Sequence, residues 1–416
     1  MDRRRVAITG LGLVSPFGGS LTDFFGRLLN GESAIQLLRL DEPPRPLCLP
    51  FVSCRGFDGA TVLGQAMAAT MDRYAQLATA AAFAAWDDAG FDRRPAGAER
   101  DDWGVAWGTA LGGTLAYEKG YRELWLKGRE RISPLSVVLG MNNAANAHLS
   151  IQLGLGGISV SYTVACASST IAIGEAFRRV RSGEAPVMLT GGSDVPQAYG
   201  VARAWEALRI LAPGDAGTSA SACRPFSVDR NGLVLGEGGA ALVLEDWEHA
   251  LARGAEIHAE LIGYATTCDH THLVRPELDG QFRALRATLA DAALAPQEVD
   301  YINAHGTATS EGDPVEVDAI RRVFGTGTSG PAVSGTKSMH GHLLGAAGAI
   351  EAIVTVLALR ERAIPPTAHL TTVDPACGGI DHVLAARHEP SLRAALSSSF
   401  AFGGSNAVLA FRAAGR

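Results

Sequence analysis

One plan occurs twice in this chain, and it limits the fold more than anything else in the sequence. A β-rich run leads into a short loop with a reactive side chain, and the loop opens a helix made of small residues. In the first copy Ile158-Ser-Val-Ser-Tyr-Thr-Val runs into Ala165-Cys-Ala-Ser-Ser, and Thr170 to Arg181 is patterned as a helix up to Gly183. In the second, Ala332-Val-Ser runs into Lys337-Ser-Met-His-Gly-His, and a helix follows from Leu343 to about Arg360. The two helices open alike: Ala165-Cys-Ala-Ser-Ser-Thr-Ile-Ala-Ile-Gly in one, Leu343-Leu-Gly-Ala-Ala-Gly-Ala-Ile-Glu-Ala in the other. Side chains this small let two helices pack closely in the buried middle of a layered structure. Strand, loop, helix and a returning strand at Pro186 to Thr190 make the βαβ unit of a parallel sheet. Two such halves predict an α/β protein with a duplicated α/β/α/β/α five-layer core. Residues 1–250 form the half with the cysteine loop and capping insertions, and residues 251–416 the half with the Lys and His loops.

The remaining segments fit around that frame. Val6 to Gly12, Gly104 to Thr109, Gly239 to Leu244 and Ile257 to Thr266 read as strands, and Met71 to Ala89 and Gln281 to Ala293 as helices. A last strand pair surrounds Ala395 to Phe400 and Ala407 to Phe411. Asp313 and Pro314 suit the N-cap and first position of a helix that runs to Phe324. Residues 114 to 150 are helical and irregular, an insertion suited to covering a pocket. The chain is 47% hydrophobic and 19% charged with 49 glycines, as expected of a compact enzyme with many tight turns. A net charge of −7, with no basic run interleaved with aromatics, excludes a nucleic-acid surface. No apolar run reaches the ~18 residues that span a bilayer. The apolar start at Val6 is too short for a signal-peptide core, so a cytoplasmic protein is expected. The cysteines form no CxxC pair, and neither GxGxxG nor Walker A is present. His340 and His342 alternate, as do His270 and His272 beside Asp269. No thiolate pair or HExxH accompanies them, so no metal is expected.

Chemistry concentrates in four loops. Cys166 stands where a hydrophobic strand meets a helix. A thiol there faces the positive end of the helix dipole and unpaired backbone N–H groups, which favour the thiolate. The same N–H groups are placed to bind an oxyanion. Small neighbours at Ala165, Ala167, Ser168 and Ser169 leave room for a substrate, although position alone is met equally by a buried thiol filling a small space. His305, in Asn-Ala-His-Gly-Thr-Ala-Thr, follows the strand Val299 to Asn303, and open α/β sheets place their sites at such strand ends. Taken singly, a turn histidine satisfied by backbone accounts for it better. Lys337 and His342 precede an apolar small-residue helix, where a solvated face does not explain them. Glu351 on that helix is placed to be the charge partner of Lys337, and His340 is read as structural. Phe400-Ala401-Phe402-Gly403-Gly404 sets aromatics beside a flexible diglycine that can open or close a pocket. Alone, a core Phe before a turn explains it better.

Taken together and in this order, the segments are similar to the β-ketoacyl-(acyl carrier protein) synthase family, and among these to the type II elongating ketosynthases of fatty acid, polyketide or aryl polyene synthesis. The resemblance covers essentially the whole chain. It rests on the loops above with Val6-Ala-Ile-Thr-Gly-Leu-Gly-Leu-Val-Ser-Pro and Arg224-Pro-Phe-Ser-Val-Asp-Arg-Asn-Gly-Leu-Val-Leu-Gly-Glu-Gly. It implies the duplicated thiolase fold and a 3-oxoacyl synthase that condenses malonyl thioester, with loss of CO2, onto an acyl chain held on Cys166. By the same resemblance the N–H groups of Cys166 and Phe402 form the oxyanion hole, and His305 and His342 stabilise the enolate. Lys337 and Glu351 hold the histidines in place, and Phe400, Ala401, Phe402 and Gly403 form a gate. Leu111 lines the acyl pocket, and Trp205 and Arg209 lie near its mouth. Thr307 and Thr309 contact substrate, and Asp269 and His272 ride on a loop that moves with Phe402. The implied partner is an acyl carrier protein, which brings the phosphopantetheine, so no cofactor of the chain's own is expected. A homodimer is expected to pair through Ile158 to Thr163, with a heterodimer alongside a chain-length subunit as the alternative.

Three positions depart from the family pattern: Ala401 replaces a glycine and tolerates positive φ poorly, His340 replaces a threonine, and Trp205 is bulkier than the commoner phenylalanine. A thiolase, which would use a second, acid/base cysteine near its C-terminus, fits less well, because the last cysteine, Cys377, lies outside any Gly-rich catalytic loop. A non-condensing scaffold subunit would lack the cysteine that stands at position 166.

Overall fold

The computed structural model describes residues 3–93 and 100–415. Ten strands carry its framework. Five belong to the first half: β1 (Val6–Val14), β2 (Gly104–Gly108), β3 (Ser159–Tyr162), β4 (Val187–Asp194) and β5 (Gly238–Asp246). Five belong to the second: β6 (Ala259–Cys268), β7 (Tyr301–Asn303), β8 (Ala332–Ser334), β9 (Ala394–Phe400) and β10 (Ser405–Ala413). Across the sheet the first half runs β3-β2-β4-β5-β1 and the second β8-β7-β9-β10-β6, with the short strand Asp381–His382 outside β8. Counted within its own half, each order is third, second, fourth, fifth, first. The pairing senses also repeat. The third, second and fourth strands run parallel, and the fifth is antiparallel to the fourth and first. An identical order with identical senses is the signature of a duplicated unit.

The two half-sheets are joined edge to edge into one sheet. β1 and β6 pair antiparallel over three residues, from Val6 opposite Leu261 to Ile8 opposite Ala259. At the far end β3 has only β2 as a neighbour among the described residues, so its other edge is open.

Six helices complete the layers: α1 (Arg73–Asp88), α2 (Ala144–Leu153), α3 (Ser168–Ser182), α4 (Leu278–Ala292), α5 (Gly312–Phe324) and α6 (Ala347–Glu361). α1 and α2 cover the first half-sheet, and α4 packs on the second with α5 beside it. α3 and α6 touch each other and strands of both half-sheets, which makes them the middle of five layers. Ala347 to Leu359 of α6 is buried without a break, as a helix enclosed on all sides must be. Small residues are needed there: a Cβ at Gly348 would lie 1.9 Å from Thr170 Oγ1 of α3. Gly348→Ala is therefore expected to cost about 1–3 kcal/mol through overpacking, read as a lower urea midpoint with the slope unchanged.

One local expectation is corrected. α5 starts at Gly312, and its N-cap Glu311 makes no side-chain cap. Asp313 instead turns its carboxylate to the backbone N–H of Phe226, 2.8 Å away. Among the described residues, no helix is long and apolar enough to cross a membrane.

Candidate active site

The reactive loops of both halves meet above the start of α3. Cys166 occupies a tight 3-10 turn, Ala165–Ala167, one step before the helix proper. The sulfur is 3.0 Å from His342 Nε2, which arrives from the other half on the loop before α6. The His342 backbone N–H donates to Val234 O at 2.7 Å. His305 follows β7, and its ring lies 5.4 Å from that of His342, centroid to centroid, at 86°. Its backbone N–H and that of Gly306 donate to Glu316 of α5 at 2.7 and 2.8 Å.

Lys337 lies beneath them, fully buried with Glu351. Its Nζ is 2.5 Å from Glu351 Oε1, 2.5 Å from His305 O and 3.3 Å from His305 Nδ1. A lysine head group offers N–H donors and no acceptor. His305 Nδ1 must therefore accept, which puts the ring proton on Nε2, the nitrogen left for a substrate.

Burial dominates the acid–base chemistry. It pushes the Cys166 thiol up to about 12, against the opposing pull of Lys337 and of the Phe402 and Cys166 backbone N–H groups. The helix start was expected to favour a thiolate. Cys166 is only 7% exposed, and removing the anion from water outweighs the fixed dipoles around it. Burial, reinforced by the charge of Lys337, holds His305 and His342 well below the usual imidazole range, so both rings are neutral. Burial also raises Glu351, with Lys337 opposing. The resting site thus pairs a neutral thiol with a neutral imidazole. A thiol whose pKa lies near 12 gains thiolate tenfold per pH unit below that value. The alkylation rate of Cys166 by iodoacetamide is expected to climb about tenfold per unit from about pH 7 to about pH 9. A plateau near the ordinary thiol pKa would contradict this.

Around the sulfur and both imidazoles lies a cavity of about 270 Å³. Of the residues expected at the site, Trp205, Thr307, Thr309, Asp269, Phe400, Ala401 and Phe402 line it. Thr307 and Thr309 share a hydrogen bond at 3.0 Å between hydroxyls, and Phe402 stacks on Trp205 with centroids 5.9 Å apart and planes within 17°. Leu111 does not line the cavity and packs instead against the apolar cluster that contains Cys166 and Leu344. Arg209 and His272 do not line the cavity. Arg209 is exposed beside the lining residues Leu208 and Ile210. His272 is exposed, and its Nδ1 accepts from the N–H groups of Val274 and Arg275, both at 3.1 Å. Those local bonds turn the ring onto its own loop.

The gate strands lie against that loop. Gly403 N–H donates to Leu273 O at 2.7 Å, and Asp269 N–H donates to Gly404 O at 2.8 Å. Positive φ is confined to Gly403 at 87° and Gly404 at 77°, and Ala401 is outside that region. The loss of a glycine at position 401 therefore imposes no backbone strain in this conformation.

Two carboxylates that shape the site were not found in the sequence. Asp194, at the end of β4, accepts from the N–H groups of Ala110 (2.7 Å) and Leu111 (3.0 Å) in the first half and of Gly345 (2.7 Å) in the second. It ties the cysteine and histidine halves together, and burial pushes it up to about 6. Glu316 fixes the His305 loop, and burial pushes it up to about 7. For Asp194 the only sequence signal is an acid after Thr190-Gly-Gly-Ser at a strand's carboxyl end; for Glu316 it is a second acid in the turn after Asp313.

Comparison with known proteins agrees with this geometry. Residues 3–250 match the family described as Beta-ketoacyl synthase, N-terminal domain, and residues 258–371 the Beta-ketoacyl synthase, C-terminal domain. The chain is 42% identical to Nodulation protein E of Rhizobium sp. (strain N33), over 99% of this chain and 100% of the relative. It is 40% identical to 3-oxoacyl-[acyl-carrier-protein] synthase 2 of Staphylococcus aureus (strain COL), over 99% of each chain. A solved type II polyketide ketosynthase, bound to the hexaketide and in complex with its acyl carrier protein, superposes with a TM-score of 0.88 at 30% identity, covering 99% of this chain and 100% of that one. The chain belongs to the β-ketoacyl synthase family and is a condensing, acyl-transferring ketosynthase.

Proposed function

We propose that Cys166 holds the growing acyl chain and that His305 and His342 carry the decarboxylation of the extender. The observation behind this is one cavity in which the sulfur touches His342 Nε2 at 3.0 Å while Lys337 leaves His305 Nε2 protonated. In acyl transfer Cys166 Sγ attacks the thioester carbonyl of an acyl carrier. The thiol proton passes to His342 Nε2 and then to the departing thiolate of the carrier arm. The backbone N–H groups of Cys166 and Phe402 both favour the ionised sulfur, and in this reading they receive the oxyanion of the tetrahedral intermediate.

In condensation a malonyl thioester enters the same cavity. Its C–C bond to the carboxylate breaks, CO2 leaves, and the electron pair becomes an enolate. The enolate oxygen is bound by His305 Nε2–H and by His342 in its Nε2–H tautomer. Such donors are worth about 3 kcal/mol each where charge develops in a site closed to water. The enolate carbon attacks the acyl carbonyl, the Cys166 sulfur leaves, and the 3-oxoacyl chain remains on the carrier. Because CO2 loss generates the carbanion, the chemistry calls for neither a strong base nor a metal or cofactor of the protein's own.

The partner in this reading is an acyl carrier protein of fatty acid or polyketide synthesis, met in the cytoplasm. The open edge of β3 supports pairing with a second subunit, a copy of this chain or a related chain-length subunit, by extending the sheet. The test is intact-mass analysis after incubation with acyl carrier protein. The chain is expected to gain one acyl mass that maps to Cys166 and vanishes in Cys166→Ala. An adduct elsewhere, or none, would overturn the assignment.

A further inference from the structure

A further buried histidine, His340, stands two residues before His342 and takes part in neither chemical step. It is fully buried and does not line the cavity, so it meets no substrate. It closes the single helical turn Lys337–His340. Burial, with the charge of Lys337, pushes its imidazole down to about 3, so the ring is neutral and carries one proton.

The contacts of the ring decide which nitrogen bears that proton. Nδ1 lies 2.9 Å from the carbonyl oxygen of Gly341. A carbonyl only accepts, so Nδ1 is the protonated nitrogen and donates. Nε2 is then an acceptor, and the Thr336 hydroxyl, 3.0 Å away, is its donor. That hydroxyl has one proton, and its other neighbour, Asn303 Oδ1, lies farther off at 3.4 Å.

His342 is held differently. Its Nδ1 has no hydrogen-bond partner among the described residues, so no bond on that side of the ring steers Nε2 toward the sulfur. The ring has to be aimed from the backbone. The His342 N–H donates to Val234 O, and its carbonyl accepts from the Gly236 N–H at 3.0 Å. The weak link is the residue before it. Gly341 has φ 68°, and glycine is the residue freest to leave any one conformation. The peptide between Gly341 and His342 has two polar ends. Val234 takes its N–H, and His340 takes its oxygen. Resting on the roles proposed for His342, we propose that His340 is a positioning residue for the reaction: by fixing the oxygen end of that peptide it holds His342 Nε2 against Cys166. Thr336 in turn stabilises the tautomer in which His340 donates.

The experiment compares His340→Asn and His340→Gln with the wild type and with His342→Ala. An asparagine amide places an N–H where Nδ1 stands and keeps the bond to Gly341 O, whereas a glutamine amide reaches the place of Nε2 and keeps only the contact with Thr336. Rates are taken per folded enzyme, well below every Tm. His340→Gln is expected to lose about ten- to a hundredfold in kcat, the scale of a misplacement of about 1 Å. Its KM for malonyl carrier protein should be unchanged, because His340 touches no substrate. Acylation of Cys166 and release of CO2 should fall together, since His342 serves both. His340→Asn is expected to recover most of kcat. A merely structural histidine would lower Tm in both variants and leave kcat as it was, and that result overturns the inference. Equal losses in the two variants overturn it as well, because the bond to Gly341 would then not be what matters. A neutron structure of the wild-type enzyme tests the same point without any substitution: the ring proton of His340 is expected on Nδ1, and a proton on Nε2 alone overturns the inference even if neither variant folds. Undiminished turnover in His342→Ala sinks the proposed role of His342 and this inference with it, whereas loss in His342→Ala beside a fully active His340→Gln sinks this inference alone.

Discussion

Cys166→Ala is expected to abolish condensation, by at least about a thousandfold, while malonyl decarboxylation continues. The two half-reactions use different atoms. Acyl transfer requires the sulfur as nucleophile, and no neighbouring group can substitute for it. Decarboxylation requires only that an enolate oxygen meet the imidazole N–H groups, and Lys337 holds His305 in the donating tautomer whatever stands at position 166. His305→Ala is the mirror case: its CO2 release should fall about a hundred- to thousandfold, the range seen when one oxyanion donor is removed, while acylation of Cys166 proceeds. The two variants are compared by release of labelled CO2 from malonyl carrier protein and by 3-oxoacyl product. Loss of decarboxylation in Cys166→Ala would show that the sulfur takes part in it, contrary to the division of labour proposed.

The second large effect is on stability. Lys337 and Glu351 are both fully buried and 2.5 Å apart. Removing either leaves the other charged and unpaired in the core, so Lys337→Met and Glu351→Leu are each expected to destabilise by about 3–5 kcal/mol. The double variant should recover most of that loss, because a buried pair replaced by apolar groups of similar size is often neutral. Activity should not return with it. Without Lys337 nothing fixes the proton on His305 Nε2, and the His305 carbonyl loses its donor. Urea unfolding of the four proteins closes the cycle. Additive losses would mean that the two residues are not a pair in solution.

The sequence showed the reactive residues better than their environment. Cys166, His305, Lys337 and His342 were legible because each lies at the end of a hydrophobic run, where a strand or helix start is marked by local pattern. The duplication was legible as two similar halves, but not the strand order within each, nor the edge-to-edge union through β1 and β6, since a three-residue pairing has no signature in a single chain. Asp194 and Glu316 were missed for a definite reason. Their partners are backbone N–H groups, and those of Asp194 come from positions 110, 111 and 345, which only the folded chain brings together. The Cys166 thiol was placed on the wrong side of its ordinary pKa because helix dipoles can be read locally, whereas burial is a property of the whole surround. Arg209 and His272 lie close in sequence to lining residues yet miss the cavity, because loop direction is set by hydrogen bonds such as those His272 makes to its own backbone.

The short seam between β1 and β6 has a consequence for how this enzyme fails. Three rungs of ladder are a weak suture, so the two lobes owe their alignment to the interlocked glycines and alanines between them. Thiol and imidazoles belong to opposite lobes. Any heat or solvent stress that lets the lobes slip will part the thiol from the imidazoles and silence condensation, well before either lobe has melted.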